Sequence, residues 1–220
     1  SAARFAPGTC GRSPAAQHPP IHRHLPMPTT HLLYLHGFRS SPQSTKARTM
    51  AEYVQRRHPQ VTWYCPQLPP SPRAAMELVM AQVRDWPGER MAVIGSSLGG
   101  YYATWVAHHK HCKAVLLNPA VWPDHSLEQY IGQQTSWHHP EEAFFFHPEY
   151  IQELRDLALH EQAATAPQLG VFAKGDEVLD WRQMVARYPE AEQLILEGGD
   201  HALSDFDSHL SRILDFLDLA

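Results

Sequence analysis

Apolar and polar positions follow no period over the first 26 residues of the chain. This stretch is rich in Pro, Ala, Gly and His and contains no run with helical or strand spacing. Patterned sequence begins at Met27, where we expect the native chain to start. We therefore predict an N-terminal extension at residues 1–26, outside the core, and a single domain at residues 27–220.

Short apolar runs then alternate with longer amphipathic segments as far as residue 118. Four apolar runs predict strands: HLLYLHG, VTWYCP, MAVIG and AVLLN. The amphipathic segments between them, at residues 46–58, 72–85 and 98–109, predict helices. This alternation is typical of βαβ units, so we predict an α/β fold with a mostly parallel sheet flanked by helices.

The alternation stops after the fourth predicted strand. Residues 120–165 are rich in aromatic residues, Pro and His, and Ile151, Leu154 and Leu157 share one helical face. We predict a short helical insertion here, and because it lies beside the carboxyl ends of the strands we expect it to act as a lid. The alternation resumes with the strand QLGVFAKG, a helix at residues 181–187, the strand AEQLILEGG and a closing helix at residues 205–219.

A GxSxG motif lies between the third predicted strand and the helix that follows it. The motif is Gly95-Ser96-Ser97-Leu98-Gly99. A strand, a sharp turn and a helix in this order are typical of a nucleophile elbow, in which the serine stands clear of the sheet. Ser97 is the predicted nucleophile, because Ser96 has Ile94 where the motif needs a glycine. A glycine-rich turn that binds phosphate is the alternative, although no GxxxxGK[ST] or GxGxxG follows the first strand.

A serine nucleophile needs a base and an acid that orients the base, and both residue types follow in later loops. Asp176 comes directly after the strand QLGVFA, and His201 comes directly after the strand EQLILE. The order Ser, Asp, His, with each residue at the carboxyl end of a strand, predicts a catalytic triad. Asp180, Glu177 and Asp200 are competing acids. Asp200 is disfavoured because adjacent residues rarely face each other correctly.

Two backbone N–H groups are candidates for an oxyanion hole. The N–H of Leu98 follows the nucleophile and lies at the positive end of the predicted helix. The N–H of Phe38 follows Gly37, whose flexibility allows a sharp turn after the first strand. We expect the side chain of His36 to fix this loop as a buried structural residue.

Composition narrows the classes of function. The chain has 18 Lys and Arg against 23 Asp and Glu without a dense basic run, so no nucleic-acid partner is expected. Cys10, Cys65 and Cys112 have no CxxC spacing, which argues against disulfides and a thiolate zinc site. The 16 histidines form no HExxH or comparable pattern, so we expect no metal and no cofactor. No apolar run is long enough to cross a bilayer, and we predict a cytoplasmic location.

Six motifs together resemble a known family. The strings LLYLHGFRSSPQSTKA, CPQLPPSP, IGSSLGGYYATW, NPAV, KGDEVLD and EGGDHAL occur in this order. Over about residues 30–219 the chain resembles the YqiA-type esterases, which are small bacterial α/β-hydrolases. The resemblance implies an α/β-hydrolase fold and esterase or acyl thioesterase activity, with Ser97, Asp176 and His201 as the triad.

The leading hypothesis is therefore a serine hydrolase that cleaves a small-molecule ester or thioester through an acyl-enzyme on Ser97. An amidase or small peptidase would use the same triad, because the fold and the triad leave the acyl and leaving groups open. A non-catalytic binding module with a hydrolase fold is the alternative from another class. The intact triad and both oxyanion candidates argue against that module.

Three consecutive phenylalanines in the insertion, Phe144, Phe145 and Phe146, are the candidates for a substrate pocket. Either they form a small core of the insertion or they line an acyl pocket. On a helix or a strand, at least one of three consecutive residues faces away from the core. We expect that residue to face the active-site cleft.

Overall fold

A central sheet and seven α-helices are formed by the residues that the computed structural model describes, 27–159 and 164–220. The predictions for residues 1–26, and for Cys10 among them, lie outside the described residues. The strands are β1 His31–Leu35, β2 Thr62–Tyr64, β3 Met91–Ser96, β4 Lys113–Leu117, β5 Gly132–Thr135, β6 Ala143–Phe146, β7 Gln168–Ala173 and β8 Glu192–Leu196. The α-helices are α1 Thr45–Arg57, α2 Pro72–Gln82, α3 Leu98–Lys110, α4 Pro123–Ser126, α5 Glu149–Asp156, α6 Trp181–Arg187 and α7 Leu210–Phe216.

Six strands form one parallel sheet in the order β2-β1-β3-β4-β7-β8. The chain runs outward from β1 to β2, returns past β1 to β3 and then continues outward on the other side. The direction of the strand order therefore reverses between β1 and β3. Open α/β sheets bind ligands at such a switch point, beyond the carboxyl ends of the strands. The mostly parallel α/β architecture confirms the predicted fold class.

Helices cover both faces of the sheet, and each face has its own apolar core. Helices α2, α3, α5 and α6 pack with alternate sheet residues such as Val93 on one face. Helices α1 and α7 pack with residues such as Ile94 on the other. Because both faces are covered, all six positions of β3 are buried. This explains why the central strands are continuous apolar runs in the sequence.

The insertion differs from the prediction of short helices. It does contain α4 and α5, and Ile151 and Leu154 of α5 are buried as predicted. Between these helices, however, β5 and β6 form an antiparallel hairpin in which Gly132 pairs with Phe146. Aromatic residues favour extended backbone, and cross-strand pairing with β5 stabilises it. The prediction of a purely helical insertion was therefore wrong, and its role as a lid stays a prediction.

The closing segment also differs in detail from the single helix predicted at residues 205–219. A 3-10 turn at Phe206–His209 precedes α7, which ends at Phe216. Phe206, Ile213 and Leu217, which form an apolar stripe along this segment, are nevertheless each at most 3% exposed. The stripe thus covers the sheet although the backbone geometry changes along it. Among the described helices, none is long and apolar enough to span a membrane.

His36 fixes the loop that leaves the carboxyl end of β1. Its side chain is 4% exposed, and its Nε2 lies 3.0 Å from the backbone nitrogen of Leu68. Because that N–H can only donate, Nε2 is the acceptor, and the proton on Nδ1 is donated to the carbonyl of Gly37 at 2.8 Å. Burial lowers the pKa of His36 to about 4, against an opposing effect of the Gly37 hydrogen bond. The neutral imidazole therefore holds the loop, as expected for a buried structural histidine.

The stability of the domain should accordingly depend on the ionisation of His36. In the unfolded chain a histidine takes up its proton near pH 6.5, whereas folded His36 does so only near pH 4. The unfolded state therefore binds more protons in this window, and the contribution of His36 is complete above pH 6.5 and is lost as the pH falls toward 4. The full contribution to the free energy of unfolding is about 3 kcal/mol.

Urea unfolding of the wild type and His36→Gln between pH 4 and pH 7.5 tests this prediction. The difference in free energy of unfolding between the two proteins should shrink as the pH falls, because other titrating groups are common to both. A difference that stays constant across this range would show that His36 is not held neutral by the fold.

Candidate active site

Ser97 lies at the sharp turn between β3 and α3. Its backbone has φ 56° and ψ −119°, a strained conformation for a residue with a side chain. The turn is tight because a Cβ on Gly95 would lie 2.1 Å from the carbonyl oxygen of Gly99. A Cβ on Gly99 would lie 2.0 Å from the carbonyl oxygen of Leu35 in β1. Both glycines are therefore required by close backbone packing, as in a nucleophile elbow.

The structure brings Ser97, His201 and Asp176 into one hydrogen-bonded chain. The Nε2 of His201 lies 2.9 Å from the Oγ of Ser97, and its Nδ1 lies 2.7 Å from the Oδ2 of Asp176. The three residues follow β3, β8 and β7, at the same end of the sheet. The side chain of Asp176 is fully buried, whereas that of His201 is 20% exposed. His201 thus lies nearer the surface, and the carboxylate of Asp176 lies in the interior.

Asp176 is oriented toward His201 by its own loop. Its Oδ1 accepts hydrogen bonds from the backbone N–H groups of Val178 and Leu179, at 2.8 and 2.7 Å. These two bonds leave Oδ2 to face the imidazole. A carboxylate that accepts two backbone N–H bonds is held in a fixed rotamer.

The competing acids have other partners. Asp180 caps α6 by accepting a hydrogen bond from the N–H of Arg182. Asp200 accepts hydrogen bonds from the N–H and the hydroxyl of Ser204, and these bonds lower the pKa of Asp200. The Oε2 of Glu177 accepts a hydrogen bond from the backbone N–H of His201 at 3.0 Å, and this bond does not involve the imidazole. Among these four acids, Asp176 is the one whose carboxylate bonds to the imidazole.

The His201 loop has a further contact that the sequence analysis missed. Lys46, in the first turn of α1, donates a hydrogen bond to the carbonyl of Ala202. Burial lowers the pKa of Lys46 to about 8, while the nearby charge of Asp200 opposes this shift. A lysine near a helix start carries no sequence signal for such a role, because the contact joins residues far apart in the chain.

The predicted oxyanion residues lie on both sides of Ser97. Leu98 begins α3, so that its N–H belongs to the first turn, whose N–H groups lack partners within the helix. On the other side the loop after β1 packs against the nucleophile, since a Cβ on Gly37 would lie 3.3 Å from the Cβ of Ser97. Phe38 follows on this loop. Its ring centre lies 5.2 Å from that of Phe146 and 5.5 Å from that of Tyr130.

The three candidate pocket residues point to two sides of the β5–β6 hairpin. Phe146 is buried, and half-buried Phe144 meets the ring of Phe38 edge-on with ring centres 6.0 Å apart. Phe145 lies between them in the strand and is 46% exposed. One of the three is thus exposed, as the alternation of a strand requires. Its two neighbours are the phenylalanines that contact Phe38 in the loop after β1.

Arg39 joins the hairpin to the loop after β1, a role that no local pattern indicates. Its backbone adopts a left-handed conformation with φ 62°, and its carbonyl accepts the N–H of Trp137 at 2.8 Å. Its Nε donates to the carbonyl of Thr135 at 2.7 Å, and its guanidinium lies 3.8 Å from the ring centre of Trp137. We call these contacts the Arg39 clamp. They fix the turn end of the hairpin to the loop beside Ser97.

A large cleft of about 1290 Å³ lies along α3 and is lined by none of the three triad residues. It is bounded by residues such as Tyr101, Trp105, Trp122 and Arg187. Size often indicates a ligand site, yet polar groups around this cleft bond to one another. The hydroxyl of Tyr101, for example, donates to the carbonyl of Leu154 at 2.6 Å. We therefore assign the candidate site from the hydrogen-bonded triad and not from the volume of the cleft.

Other nucleophiles and metal ligands are less favourable in the described part of the chain. Cys65 and Cys112 are free, and burial raises the pKa of each thiol to about 12. Neither is therefore a thiolate at neutral pH. No cluster of three or more His, Cys, Asp or Glu side chains among the described residues could hold a metal ion.

Solved structures share this fold at low sequence identity. A putative hydrolase from Agrobacterium vitis has a TM-score of 0.68 at 17% identity, with 87% of this chain and 90% of that chain covered. The mouse alpha/beta hydrolase domain-containing protein 10 has a TM-score of 0.64 at 16% identity, covering 88% and 92%. Est1E from Butyrivibrio proteoclasticus with bound ferulic acid has a TM-score of 0.65 at 15% identity, covering 89% of each chain. At these identities the likeness shows the α/β-hydrolase fold.

The sequence itself matches a family over nearly the whole domain. The model of the uncharacterised protein family UPF0227 matches residues 31–218. This range includes all six of the motifs that resemble the YqiA-type proteins, and the predicted resemblance is confirmed. The chain therefore belongs to the UPF0227 family, the YqiA-type family of α/β-hydrolase fold.

Proposed function

We propose that this protein is a serine hydrolase that cleaves carboxylic esters or acyl thioesters through an acyl-enzyme on Ser97. The observation that carries the proposal is the chain from the Oγ of Ser97 through His201 to the buried carboxylate of Asp176, with links of 2.9 and 2.7 Å. Both links have the length that proton transfer and imidazole orientation require. The names of structural neighbours as hydrolases and as an esterase agree with this class of reaction.

In the acylation half, the Oγ of Ser97 attacks the carbonyl carbon of the substrate while its proton passes to the Nε2 of His201. The carbonyl π electrons move onto oxygen and form a tetrahedral oxyanion. When this intermediate collapses, the bond to the leaving alcohol or thiol breaks, and the imidazolium returns its proton to the leaving group. Asp176 stabilises the imidazolium by accepting the Nδ1–H.

In the deacylation half, water takes the place of the leaving group. His201 accepts a proton from the water, whose oxygen attacks the acyl carbon on Ser97. Collapse of the second oxyanion releases the carboxylic acid and returns the proton to the serine. Over both halves, the ester or thioester bond and one O–H bond of water break. The C–O bond of the acid and the O–H or S–H bond of the leaving group form, and no redox partner is needed.

We further propose that the N–H groups of Leu98 and Phe38 stabilise the oxyanion. Leu98 directly follows Ser97, and Phe38 directly follows Gly37, which packs against Ser97. Donors held in advance at a developing charge need no reorganisation, and loss of one such donor costs about 3 kcal/mol of transition-state stabilisation.

Two other functions share parts of this geometry. An amidase or small peptidase would use the same triad, and it differs only in the leaving group. A non-catalytic binding module would have no need for a serine, an imidazole and a buried carboxylate aligned within hydrogen-bond distance. The aligned triad therefore favours an enzyme.

Replacement of Ser97 tests the nucleophile, and Ser96 offers a matched control one residue away. Ser97→Ala should remain folded but lose both turnover of p-nitrophenyl esters and labelling by a fluorophosphonate, because the covalent route is removed. Ser96→Ala should keep both. Peptide mass mapping of the labelled wild type should place the probe on Ser97. Labelling that persists in Ser97→Ala would refute the assignment, and a folded wild type that is never labelled would favour the binding module.

Replacement of the acids tests the orientation of His201. Asp176→Asn should lower kcat on the order of 10⁴-fold, because the amide favours the wrong imidazole tautomer. Asp180→Asn is the control, since asparagine caps α6 as well as aspartate does and should leave kcat nearly unchanged. Steady-state kinetics with p-nitrophenyl acetate compares the two. If Asp180→Asn were the more damaging change, Asp176 would not be the acid of the triad.

Replacement of the hairpin phenylalanines tests the acyl pocket. We propose that Phe144, which faces Phe38, lines the surface beside Ser97 that binds the acyl group. Phe144→Ala should therefore shift the preferred acyl length, with each methylene gained or lost worth about 0.8 kcal/mol, and should spare acetyl esters. Phe145→Ala, on the other side of the strand, should leave the profile unchanged. The measurement is kcat/KM for p-nitrophenyl esters of two to sixteen carbons, and parallel profiles for both variants would assign the hairpin a scaffolding role.

A further inference from the structure

Asn118 is a polar side chain at the centre of the reactive end of the sheet. It follows β4 directly and has no exposed surface. Its backbone has a φ of 40°, in the left-handed region that asparagine enters more readily than most residues. Its own N–H donates to the carbonyl of Val171 in β7 at 3.0 Å. The side chain is thereby turned out of the strand and toward the loops that follow the neighbouring strands.

The amide of Asn118 bonds to both loops that carry the other triad residues. Its Oδ1 accepts the N–H of Ala173, at the end of β7 and three residues before Asp176, at 2.8 Å. Its Nδ2 donates to the carbonyls of Asp200 and His201, at 3.0 and 3.2 Å. A single side chain thus uses its acceptor on the acid loop and its two donors on the histidine loop.

The residues on either side of Asn118 bond to the nucleophile. The N–H of Ser97 donates to the carbonyl of Leu117 at 3.0 Å, and the N–H of Ala120 donates to the carbonyl of Ser97 at 2.9 Å. The segment from Leu117 to Ala120 therefore contacts all three chain segments that carry the triad. The NPAV motif is the sequence of this connection, from Asn118 to Val121.

We propose that Asn118 is a positioning residue, which sets the place of His201 relative to Ser97 and Asp176. The inference rests on the proposed hydrolase function. Asn118 acts through the backbone of the two loops and does not touch the reacting atoms. Because a displacement of about 1 Å in a reacting group can cost about 100-fold in rate, loss of these bonds should lower kcat and leave KM for a small ester nearly unchanged.

Two substitutions separate the side chain of Asn118 from its backbone conformation. Asn118→Gly adopts the left-handed backbone without strain and loses the three side-chain bonds, so we expect kcat to fall about 100-fold at every pH. Asn118→Asp keeps the shape and the acceptor. Its carboxyl donates to one loop carbonyl when protonated, but when ionised it places a second oxygen against two carbonyls.

The pH profile of Asn118→Asp is therefore diagnostic. Burial raises the pKa of such a carboxyl, and we expect kcat to decline as it ionises with rising pH. The other titratable side chains on or beside the packed segments include Asp176, Glu177, Asp200, His201, Lys46, Lys174 and Glu197. They are present in both proteins, so the ratio of variant to wild-type kcat isolates the introduced group. That ratio should fall by at least about tenfold between pH 6 and pH 9, so that the variant shows a loss of kcat at alkaline pH that the wild type lacks.

Thr104→Val is the matched control for a general loss of stability. Thr104 is also a buried polar side chain, and its hydroxyl lies 2.8 Å from the hydroxyl of Tyr188 and 2.9 Å from the carbonyl of Gly100. It contacts neither triad loop in these bonds. Thr104→Val should lower the melting temperature and keep kcat, whereas Asn118→Gly should lose kcat even where it is fully folded.

A second measurement does not depend on turnover. The Nδ1–H of His201, hydrogen-bonded to Asp176, should give a low-field proton NMR resonance that is absent in Asp176→Asn. This resonance should persist in Thr104→Val and should shift or vanish in Asn118→Gly. If wild-type protein hydrolysed no ester, the proposed function would fail while the resonance still tested the position of His201.

Three results would overturn the proposal. One is a kcat and a resonance in Asn118→Gly that match those of Thr104→Val. Another is a flat ratio of Asn118→Asp to wild-type kcat across the pH range. The third is failure of both Asn118 variants to fold at any pH, which would assign Asn118 to the fold alone.

Discussion

Direct contact of backbone with backbone at the start of α3 is the constraint on which the rest of the site depends. Gly99 lies against the carbonyl of Leu35, and Gly95 lies against the carbonyl of Gly99. With no side chain between these segments, β1, β3 and α3 meet at a separation set by main-chain atoms alone. The strained turn of Ser97 is held by this packing, and the loops after β1 and β4 then bond or pack against it. Ser97 is consequently the fixed reference for the groups around it.

The fold and the triad could be predicted from sequence because each leaves a local signal. The central strands are apolar on both faces, and Ser97, Asp176 and His201 each follow such a strand directly. The structure favours Asp176 over Glu177 because the carboxylate of Asp176 accepts two N–H groups of its own turn and so faces His201. No sequence pattern distinguishes two neighbouring acids in one loop in this respect. The hairpin was missed because its strands are stabilised by pairing across a loop. Local periodicity cannot reveal a contact of that kind.

Residues that tie loops together were also beyond prediction, for the same physical reason. Asn118, Lys46 and Arg39 each bond to backbone groups distant in the sequence, at the His201 loop or at the hairpin. Their residue types are ordinary at a strand end, in a helix and in a loop. Buried polar groups must find partners in the fold, and those partners become known only when the loops are placed. The polar connections around the triad are therefore a property of the tertiary structure.

The Arg39 clamp ties together two segments that lie far apart in the sequence. A hairpin that lifted away from the domain would break the bonds of Arg39 to Thr135 and Trp137 together. The left-handed backbone of Arg39, which costs about 1 kcal/mol, would then lose the contacts that hold it, and the loop beside Ser97 would relax with it. The position of the hairpin and the conformation of the loop after β1 are thus linked. Because such coupling is reciprocal, a ligand that stabilises the hairpin on this loop would stabilise the loop by at most the coupling free energy between the two.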